Sequence, residues 1–516
     1  MPKEMRHAVV PGRSGCQCGN SAADAVTVPL QHVAPSGRAT NGLLRDPRMD
    51  FETWRITRGV KGPIESTTSR STVFDVRSLF IRDRDNRLMV AMTVGALLIL
   101  PASGLRLACV GASCASDESQ ATGPVPFCSL PTEIRRRITT GFYDGRSPEL
   151  LGVTTTPDAV SVDGSGVAWP SLDTDIRVPL VFAGDGVATG PLPAGTQIDR
   201  VAPTLADLIN FNRPYPMLER TDPIRGVVSS SPPRLIVEVG LKGIGTPDLE
   251  AAPNRWPTIA RLMRDGAGTL EASVDSLPLD PAAVLTTMGT GSPPSQHGIT
   301  GTLIRDAEGR MVRAWSPDAP VSAIATLADD LDERTDQRSL VGLVADATTD
   351  RGLVGGDWYV DHDRDVRAFS ASTEGVVVRA LRSIGEGFGD DAVPDVLAVV
   401  LDGSIRDVDS SLGRLVDGIS TLVDAPTVFV IAGTGSDSSS GELGSADVEQ
   451  AVRSSVGGVL EGQVPGGLFV DADRLVAAGE SRQDVRDALA ELTDANGDPV
   501  MADAFLSYSV SFGKYC

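Results

Sequence analysis

The sequence predicts a three-layer α/β fold, with a mostly parallel central sheet and helices on both of its faces. From about residue 126 onward, short apolar runs alternate with amphipathic helical stretches, which is the pattern of a parallel sheet covered by helices. Several runs are apolar throughout, as strands buried on both faces are. The chain has 516 residues, of which 41% are hydrophobic and 22% charged, so it can bury one large core or two medium ones.

Five apolar runs are predicted to be strands of this sheet: Val178–Ala183, Leu235–Val239, Leu340–Val344, Val396–Leu401 and Val428–Ala432. Helices are predicted at Thr258–Arg264 ended by Gly266, Pro281–Met288 ended by Gly289, Ile405–Leu422, Val448–Leu460 and Arg482–Leu492. Asp280 and Pro281 form a good helix start, because an N-cap carboxylate accepts the first free amides and Pro fits the first helical position. Asn496-Gly497 predicts a hairpin turn near the C-terminus.

The charge of the chain is divided unevenly between its N-terminal part and the rest. Residues 1–87 contain 14 Lys and Arg against 9 Asp and Glu, whereas residues 88–516 contain 32 against 59, a formal charge of −27. An acidic surface repels phosphate backbones and anionic lipids. Nucleic acid is therefore not expected as a partner, and the sequence leaves the ligand or protein partner unidentified.

An uncharged apolar run predicts that the protein is exported. Leu88–Leu105 is eighteen residues long and follows a stretch with three arginines, and the small residues Ser113-Cys114-Ala115 come after it. This is the order of a signal peptide and its cleavage site. Residues 88–115 are predicted to be a signal peptide or a retained membrane anchor, and the protein to be secreted or in the cell envelope. Because signal peptides begin a chain, residues 1–87 are interpreted as a disordered or mis-started extension.

Two of the six cysteines lie in the predicted domain, near its two ends. In an exported protein, Cys128 and Cys516 can form a disulfide, which would close nearly the whole domain into one loop and stabilise it by about 5 kcal/mol in the chain-entropy model. The alternative is a pair of free thiols. Cys16-Gln17-Cys18 has no second pair at zinc-site spacing, so it does not predict a metal site.

Four segments of the chain carry a family resemblance: Val178–Asp185 (VPLVFAGD), Ala202–Ile209 (APTLADLI), Leu235–Leu241 (LIVEVGL) and Thr290–Gly301 (TGSPPSQHGITG). Together they resemble the alkaline phosphatase superfamily, specifically its type I phosphodiesterase/nucleotide pyrophosphatase branch. The resemblance covers about residues 126–516. It implies an alkaline phosphatase-like sheet, two zinc or other divalent ions held by Asp and His, and a Thr or Ser nucleophile at a helix N-terminus.

The order of these segments differs from the order in the family. In the relatives the VPL strand and the APTLA helix come last, whereas here residues 178–209 precede residues 235–435. Residues 126–225 resemble the family's C-terminal part and residues 232–516 its N-terminal part, which predicts a circular permutation. Such a rearrangement requires that the native ends lie close together. The alternative is a tandem fragment whose first domain has lost its front half.

The side chains that the family uses for catalysis are absent from the corresponding positions. Where the resemblance implies the first metal-ligand Asp, the nucleophile, an Asp-His pair and a late His, the chain has Val239, Pro281, Gly433-Thr434 and Ala168. The remnants of such a site would be Asp280, Asp402 and Glu238, and Glu238 points to the other face of its strand from Val239. We expect the five substituted positions to line one pocket, with Asp280 seated where the relatives receive phosphate.

Three hypotheses follow for the function. The first is an exported, catalytically inactive relative of these phosphodiesterases that needs no metal cofactor and has a binding or structural role. The second is a metal-dependent phosphoric ester hydrolase whose site is rebuilt from four side chains: Asp402, Glu238, His297 and His362. The third is an accessory protein that stays attached to the membrane through Leu88–Leu105. In the first hypothesis His297 belongs to a structural turn.

Overall fold

The computed structural model describes residues 126–157, 159–162, 167–214, 221–229, 231–356, 366–436 and 443–516, together with the backbone of two short strands at 79–82 and 88–91. The chain separates into two compact units, Met1–Ser116 and Asp117–Cys516. In the first unit, β1 (Leu79–Arg82) pairs antiparallel with β2 (Leu88–Ala91). The predicted export segment therefore begins with a strand, while the rest of it and the cleavage site, 92–115, lie outside the described residues.

None of the helices in the described ranges has the length and apolarity that a bilayer-spanning helix needs. After β2, the uncharged run continues for fourteen more residues, 92–105.

The second unit contains fourteen strands within the described residues. They are β3 (Leu150–Thr154), β4 (Arg177–Gly184), β5 (Gly190–Pro191), β6 (Leu235–Lys242), β7 (Ala267–Ser273), β8 (Leu303–Arg305), β9 (Met311–Arg313), β10 (Val341–Ala345), β11 (Val366–Phe369), β12 (Asp395–Asp402), β13 (Thr427–Gly433), β14 (Leu460–Val464), β15 (Gly467–Val470) and β16 (Met501–Leu506).

Its α-helices in the same ranges are α1 (Thr132–Gly141), α2 (Val201–Leu208), α3 (Thr246–Ala251), α4 (Pro257–Asp265), α5 (Pro281–Thr290), α6 (Pro294–His297), α7 (Leu327–Arg334), α8 (Thr373–Ile384), α9 (Ile405–Leu422), α10 (Ser445–Val456), α11 (Ala472–Ala478), α12 (Arg482–Ala490) and α13 (Ser507–Phe512). Three short 3₁₀ helices span Ile198–Arg200, Thr348–Leu353 and Gly513–Tyr515.

The main sheet of the described unit has eight strands in the order β11-β10-β12-β6-β13-β4-β7-β5. The first five run parallel to one another, β4 is antiparallel to both of its neighbours, and β7 and β5 are again parallel to each other. The prediction of a mostly parallel sheet is therefore confirmed. Although β4 comes early in the chain, it lies inside the sheet, between β13 and β7.

Helices cover both faces of this sheet, because side chains alternate between the faces along each strand. Ile236 of β6 packs into a core with α1, α2, α5 and α7. Val237, Val239 and Leu241 point the other way, into a core with α3, α4, α8 and α9. The fold is thus the three-layer α/β arrangement that the sequence predicts.

The helix that matters most for the site is α5, whose predicted start is confirmed and whose predicted end is wrong. Asp280 caps the N-terminus through its side chain and Pro281 takes the first helical position, as predicted. The predicted end at Gly289 is wrong, because the helix continues to Thr290 and closes on Gly291, which has a φ of 76°. Position 289 requires a glycine for another reason, because a Cβ there would lie 2.4 Å from the carbonyl oxygen of Gly352.

A second, four-stranded antiparallel sheet has the order β14-β15-β3-β16 and packs against α10, α11 and α12. The predicted helix Val448–Leu460 is wrong at its C-terminal end. The helix starts earlier, at Ser445, and stops at Val456, because Gly457 leaves the helical region with a φ of 84°. Leu460 already belongs to β14.

The first and last described segments of the second unit meet at one corner. Cys128 and Cys516 are joined by a disulfide, with 5.3 Å between their Cα atoms. The ring of Phe127 packs on Phe505 with 4.9 Å between centroids, and a Cβ at Gly513 would lie 2.3 Å from the Phe127 ring. The corner is therefore closed both covalently and by tight packing.

Candidate functional site

The carboxyl edge of the parallel strands meets the N-terminus of α5. A Cβ at Gly240 in β6 would lie 2.6 Å from the side chain of Leu285 in α5. A Cβ at Gly435, just after β13, would lie 2.8 Å from Leu279, the residue before Asp280. Open α/β sheets form their ligand crevices at this edge, so this is the place where a functional site is expected.

Asp280 occupies the N-terminus of α5 with its own carboxylate. Its Oδ1 accepts hydrogen bonds from the Ala282 amide at 2.9 Å and the Thr302 hydroxyl at 3.0 Å, and its Oδ2 accepts one from the Thr302 amide at 2.9 Å. The side chain is buried, and a Cβ at Gly301 would stand 3.1 Å from Oδ2. A helix N-terminus attracts anions through its free amides and its dipole, and here the anion is part of the chain.

The ionisation of Asp280 is a balance of opposing effects. Burial raises the pKa of Asp280 above its ordinary value, against the hydrogen bonds from Thr302 and Ala282 and the positive charge of Lys242, all of which lower it. Burial is the largest of these effects, because a charged group loses its hydration in the protein interior. The carboxylate is therefore a costly group that the fold accommodates only with its full set of donors.

Lys242 places a fixed cation among three carboxylates at the same edge. Its Nζ lies 3.1 Å from Asp346, 3.4 Å from Asp350 and 3.7 Å from Asp402. Lys242 and Asp402 are the last residues of β6 and β12 and lie opposite each other in the pairing register. Asp346 directly follows β10, and Asp350 lies in the 3₁₀ helix Thr348–Leu353.

The protonation states in this cluster follow from burial and mutual charge. Burial, together with the hydrogen bond to Asp346 and the negative charge of Asp346, raises the pKa of Asp350 to about 8, against the lowering effect of Lys242. Burial also works to raise the pKa of Asp346, but the hydrogen bond with Asp350 and the charge of Lys242 outweigh it and hold that pKa below its ordinary value. The three aspartates likewise outweigh the effect of burial on Lys242 and raise its pKa, so it remains an ammonium ion.

This donor set does not fit the pair of divalent ions that the family resemblance implies. Such ions need several carboxylates and neutral imidazoles that converge on one point. Here the centre of the carboxylate cluster holds the ammonium group of Lys242. Within the part of the chain that the structure describes, no group of three or more His, Cys, Asp or Glu side chains is placed to hold a metal.

Gly433 and Thr434 close the edge on the β13 side. A Cβ at Gly433 would lie 2.1 Å from the carbonyl oxygen of Ile244 and 2.9 Å from Pro179. The hydroxyl of the buried Thr434 accepts a hydrogen bond from the Gly243 amide at 2.9 Å. Backbone from the loop after β6 therefore fills the space in which a side chain at position 433 would have to stand.

The five substituted positions do not line one pocket, which corrects the expectation from the sequence. Val239 packs into the core on the face with α3, α4, α8 and α9, whereas α5 with Pro281 lies over the opposite face. Ala168 pairs with Ser161 beside Trp169, in the core of the smaller sheet. The alternation of side chains along β6 is the physical reason, because it sends Val239 away from α5.

Glu238 is the residue of β6 that does face α5, and it is an isolated buried acid. It is fully buried, and neither of its carboxyl oxygens has a hydrogen-bond partner among the described residues. Burial raises the pKa of Glu238 to about 8, against a small lowering by the charge of Arg213. The Arg213 guanidinium is held by Asp330 at 2.6 Å and by the carbonyl oxygens of Thr290 and Ala325.

The side chains proposed for a rebuilt metal site are not brought together. His297 is buried in α6, where its Nε2 is 3.1 Å from the Thr287 hydroxyl and its Nδ1 accepts the Ile299 amide at 3.1 Å. Burial lowers the pKa of His297 to about 3, so the ring is neutral and both nitrogens are engaged. Asp402 pairs with Lys242, and the carboxyl group of Glu238 has no hydrogen-bond partner among the described residues. His362 lies outside the described residues.

The sequence analysis missed three members of the cluster: Lys242, Asp346 and Asp350. A signal for the first two was available, because each comes two or three residues after a predicted buried strand and the carboxyl ends of parallel strands meet at one edge. Asp350 had no such signal, since its place depends on the packing of the 3₁₀ helix Thr348–Leu353 against α5.

No protein-family model matches the chain, and no curated protein matches it. Among solved structures, the chain is similar to wild-type alkaline phosphatase PafA, at 14% identity and a TM-score of 0.40, over 54% of this chain and 85% of that one. A mutant of PafA with four substitutions gives 14% identity and a TM-score of 0.39, over 54% and 86% of the two chains. Similarities at this level carry no argument about the site, whose interpretation depends on the contacts described above.

Replacement of Glu238 by Gln is predicted to remove a pH-dependent loss of stability. The pKa of Glu238 is raised from 4.5 to about 8 in the folded state, so between these values the folded state binds one more proton than the unfolded state. The free energy of unfolding then falls as pH rises, by about 1.4 kcal/mol per pH unit. In urea titrations at pH 5, 6.5 and 8, we expect Glu238→Gln to gain stability relative to the wild type as pH rises.

The exposed Glu386→Gln provides the matched control, because its side chain is already in water. It should follow the wild type at all three pH values. A constant difference between Glu238→Gln and the wild type across the pH range would contradict the buried, protonated state of Glu238.

Replacement of Gly433 by Ala is predicted to destabilise the fold by about 1–3 kcal/mol, because the new methyl group overpacks a filled space. The loop after β6 or the end of β13 must move to relieve the contact with Ile244. Gly458→Ala is the control, since a Cβ at Gly458 would meet no atom within 4 Å. Thermal unfolding that gave the same midpoint for both variants would show that position 433 has room for a side chain.

Proposed function

We propose that this protein is an exported, circularly permuted relative of the type I phosphodiesterase branch of the alkaline phosphatase superfamily that has lost catalysis and keeps a binding or structural role. The observation that carries the proposal is the Asp280 carboxylate on the N-terminus of α5, held by the Ala282 amide and by Thr302. In the relatives that the motifs resemble, this helix end receives the phosphate of the substrate. A buried internal carboxylate competes with any such anion for the same donors.

The Lys242 cluster, which consists of Lys242, Asp346, Asp350 and Asp402, supports the same proposal because its geometry does not suit a bound metal ion. A metallohydrolase stabilises the charge of the transferring group with cations that polarise its oxygens. At the carboxyl edge of this sheet, the carboxyl groups of Asp346, Asp350 and Asp402 surround an ammonium group instead. An ammonium group neutralises the cluster but has no open coordination position to offer a substrate oxygen or a water molecule.

Gly433 supports the loss of a metal ligand, because the space that a side chain at this position would need is already filled. The motif alignment puts a metal-ligand Asp at this position. The carbonyl oxygen of Ile244 stands 2.1 Å from the place of its Cβ, closer than any real contact of that kind. The backbone of the loop after β6 therefore occupies the space that a ligand side chain at this position would need, as is expected if the site no longer holds a metal.

The closed corner at the disulfide supports the permutation. In a permuted chain the new ends come from positions that were neighbours in the parent chain, so they are expected to lie close together in the fold. Residues 126–130 and 513–516 meet at the Cys128–Cys516 disulfide, and β4 from the early part of the chain is inserted between β13 and β7 from the later part. Both features are expected if the family's last segment now precedes its first.

The experiment is a hydrolysis assay combined with metal analysis of the purified protein. We predict no turnover of p-nitrophenyl phosphate or bis(p-nitrophenyl) phosphate above the buffer rate, with or without added Zn²⁺, and less than stoichiometric zinc by mass spectrometry. Asp402→Asn is the matched variant, because Asp402 is the remnant that a residual site would use. Turnover that chelators remove and that falls in Asp402→Asn would overturn the proposal and favour the rebuilt hydrolase.

A further inference from the structure

The last described segment of the chain displays three aromatic side chains to solvent. Tyr508, Phe512 and Tyr515 are 59%, 61% and 74% exposed, and their spacing of four and three residues puts them on one side of α13 and the 3₁₀ turn that follows it. The rings of Phe512 and Tyr515 are 6.4 Å apart. These three residues are called the C-terminal aromatic face.

This face is the place in the described structure where three exposed large apolar residues share one short segment of the chain. The other six occur on separate elements: Val228, Val321, Phe369, Val378, Leu422 and Val476. Single exposed apolar residues are normal on a protein surface, whereas a grouped set marks a contact surface. We therefore expect another surface to contact these three rings.

The face is part of the packed fold and is held in position. Val510, on the opposite side of α13, is buried in the core that also contains Phe505. Gly513 sits against the ring of Phe127, and Cys516 is bonded to Cys128. Because the backbone is fixed on both sides of the face, the rings are displayed by a rigid support.

Charge separates this part of the surface from the rest of the protein. Residues 88–516 have a formal charge of −27, yet the thirteen residues after Asp503 contain no Asp or Glu and one Lys. Phosphate headgroups repel an acidic surface, whereas they do not repel a neutral or basic stretch with aromatic rings. The segment that carries the C-terminal aromatic face thus contributes no acidic side chain to a lipid contact, although Asp503 lies at the same corner, where it accepts hydrogen bonds from the Phe127 amide and the Ser129 hydroxyl.

The chain enters the second unit at this same corner. Phe127 and Cys128, at the start of the described unit, contact Gly513 and Cys516. In the sequence, twenty residues separate this point from the end of the apolar run Leu88–Leu105. A chain that leaves an apolar N-terminal segment at a membrane therefore joins the folded unit next to the aromatic face.

A second copy of the protein is a poorer occupant on grounds of area. Three side chains of this kind, each able to bury roughly 150–250 Å² and about two-thirds exposed here, offer roughly 400 Å² in total. A stable protein–protein interface buries about 800 Å² on each partner. The face alone is too small for a dimer, but a few rings suffice for a lipid contact that adds to another attachment.

We propose that the C-terminal aromatic face rests on the surface of a phospholipid bilayer, with its rings at the level of the headgroups. Tyr and Phe suit this position because each has an apolar body, and the Tyr hydroxyl remains in contact with water. The contact orients the unit so that its acidic surfaces point away from the lipid. It is independent of whether the site at the sheet edge is catalytic.

The test is residue-resolved hydroxyl-radical footprinting of the full chain with and without phosphatidylcholine vesicles. We expect the oxidation rates of Tyr508, Phe512 and Tyr515 to fall severalfold when vesicles are added. Phe369 and Leu422 are the internal controls, since both are exposed and lie on other elements, and their rates should not change. The experiment uses the wild-type chain, so no variant can fail to fold.

Each other outcome overturns the proposal. If the chain floats with the vesicles while the three residues oxidise as before, attachment occurs elsewhere in the chain. If the three residues are protected without vesicles, and more so at higher protein concentration, a second copy covers the face. If the chain does not float with the vesicles at all, it has no affinity for this lipid surface.

Discussion

The interaction on which the candidate site depends is the seating of the Asp280 carboxylate on the N-terminus of α5. A buried carboxylate loses its hydration, and this loss is tolerable only when several donors replace the water. The amides of Ala282 and Thr302 and the Thr302 hydroxyl supply that replacement. Hydrogen bonds to charged groups contribute about 1.5–3 kcal/mol each, so the three together hold the turn at Gly301 against the helix. The same contacts that stabilise the fold here remove the donors that an incoming anion would need.

At the carboxyl edge of the sheet, one lysine balances the charge of the neighbouring aspartates. Lys242 supplies positive charge where three strands and a 3₁₀ helix bring Asp346, Asp350 and Asp402 together, and its field also reaches Asp280. An edge that would otherwise gather negative charge is thus neutralised from within the chain. Glu238 is different, because its carboxyl group has no hydrogen-bond partner among the described residues and burial raises its pKa to about 8. The edge therefore contains two groups of charged side chains with partners, Asp280 on the N-terminus of α5 and Lys242 with its aspartates. Glu238, four residues before Lys242 on β6, is a buried acid without a hydrogen-bond partner among the described residues.

The parts of this arrangement that could be predicted from the sequence are the local ones. The buried strands β4, β6, β10, β12 and β13 were evident from their apolar runs, and the start of α5 from Asp280-Pro281, because both depend on residues adjacent in the chain. The glycine inside α5 at position 289 depends on its close approach to Gly352, and the Lys242 cluster joins residues as far apart in the chain as Lys242 and Asp402. The direction of side chains was the other feature that the motif resemblance did not predict. The resemblance puts Val239 in the site, but the alternation of side chains along β6 directs Val239 into the core on the other face of the sheet.

The most direct test of the internal anion is chemical rescue of Asp280→Ala by formate, followed by thermal unfolding with chloride at equal ionic strength as reference. Formate has the size of the missing carboxylate, so it should raise the unfolding midpoint of Asp280→Ala while leaving the wild type unchanged. Asp471→Ala is the matched control, because Asp471 caps α11 through its side chain at an exposed helix end, and formate should do little there. An equal effect of formate on all three proteins, or an Asp280→Ala variant as stable as the wild type, would contradict the account.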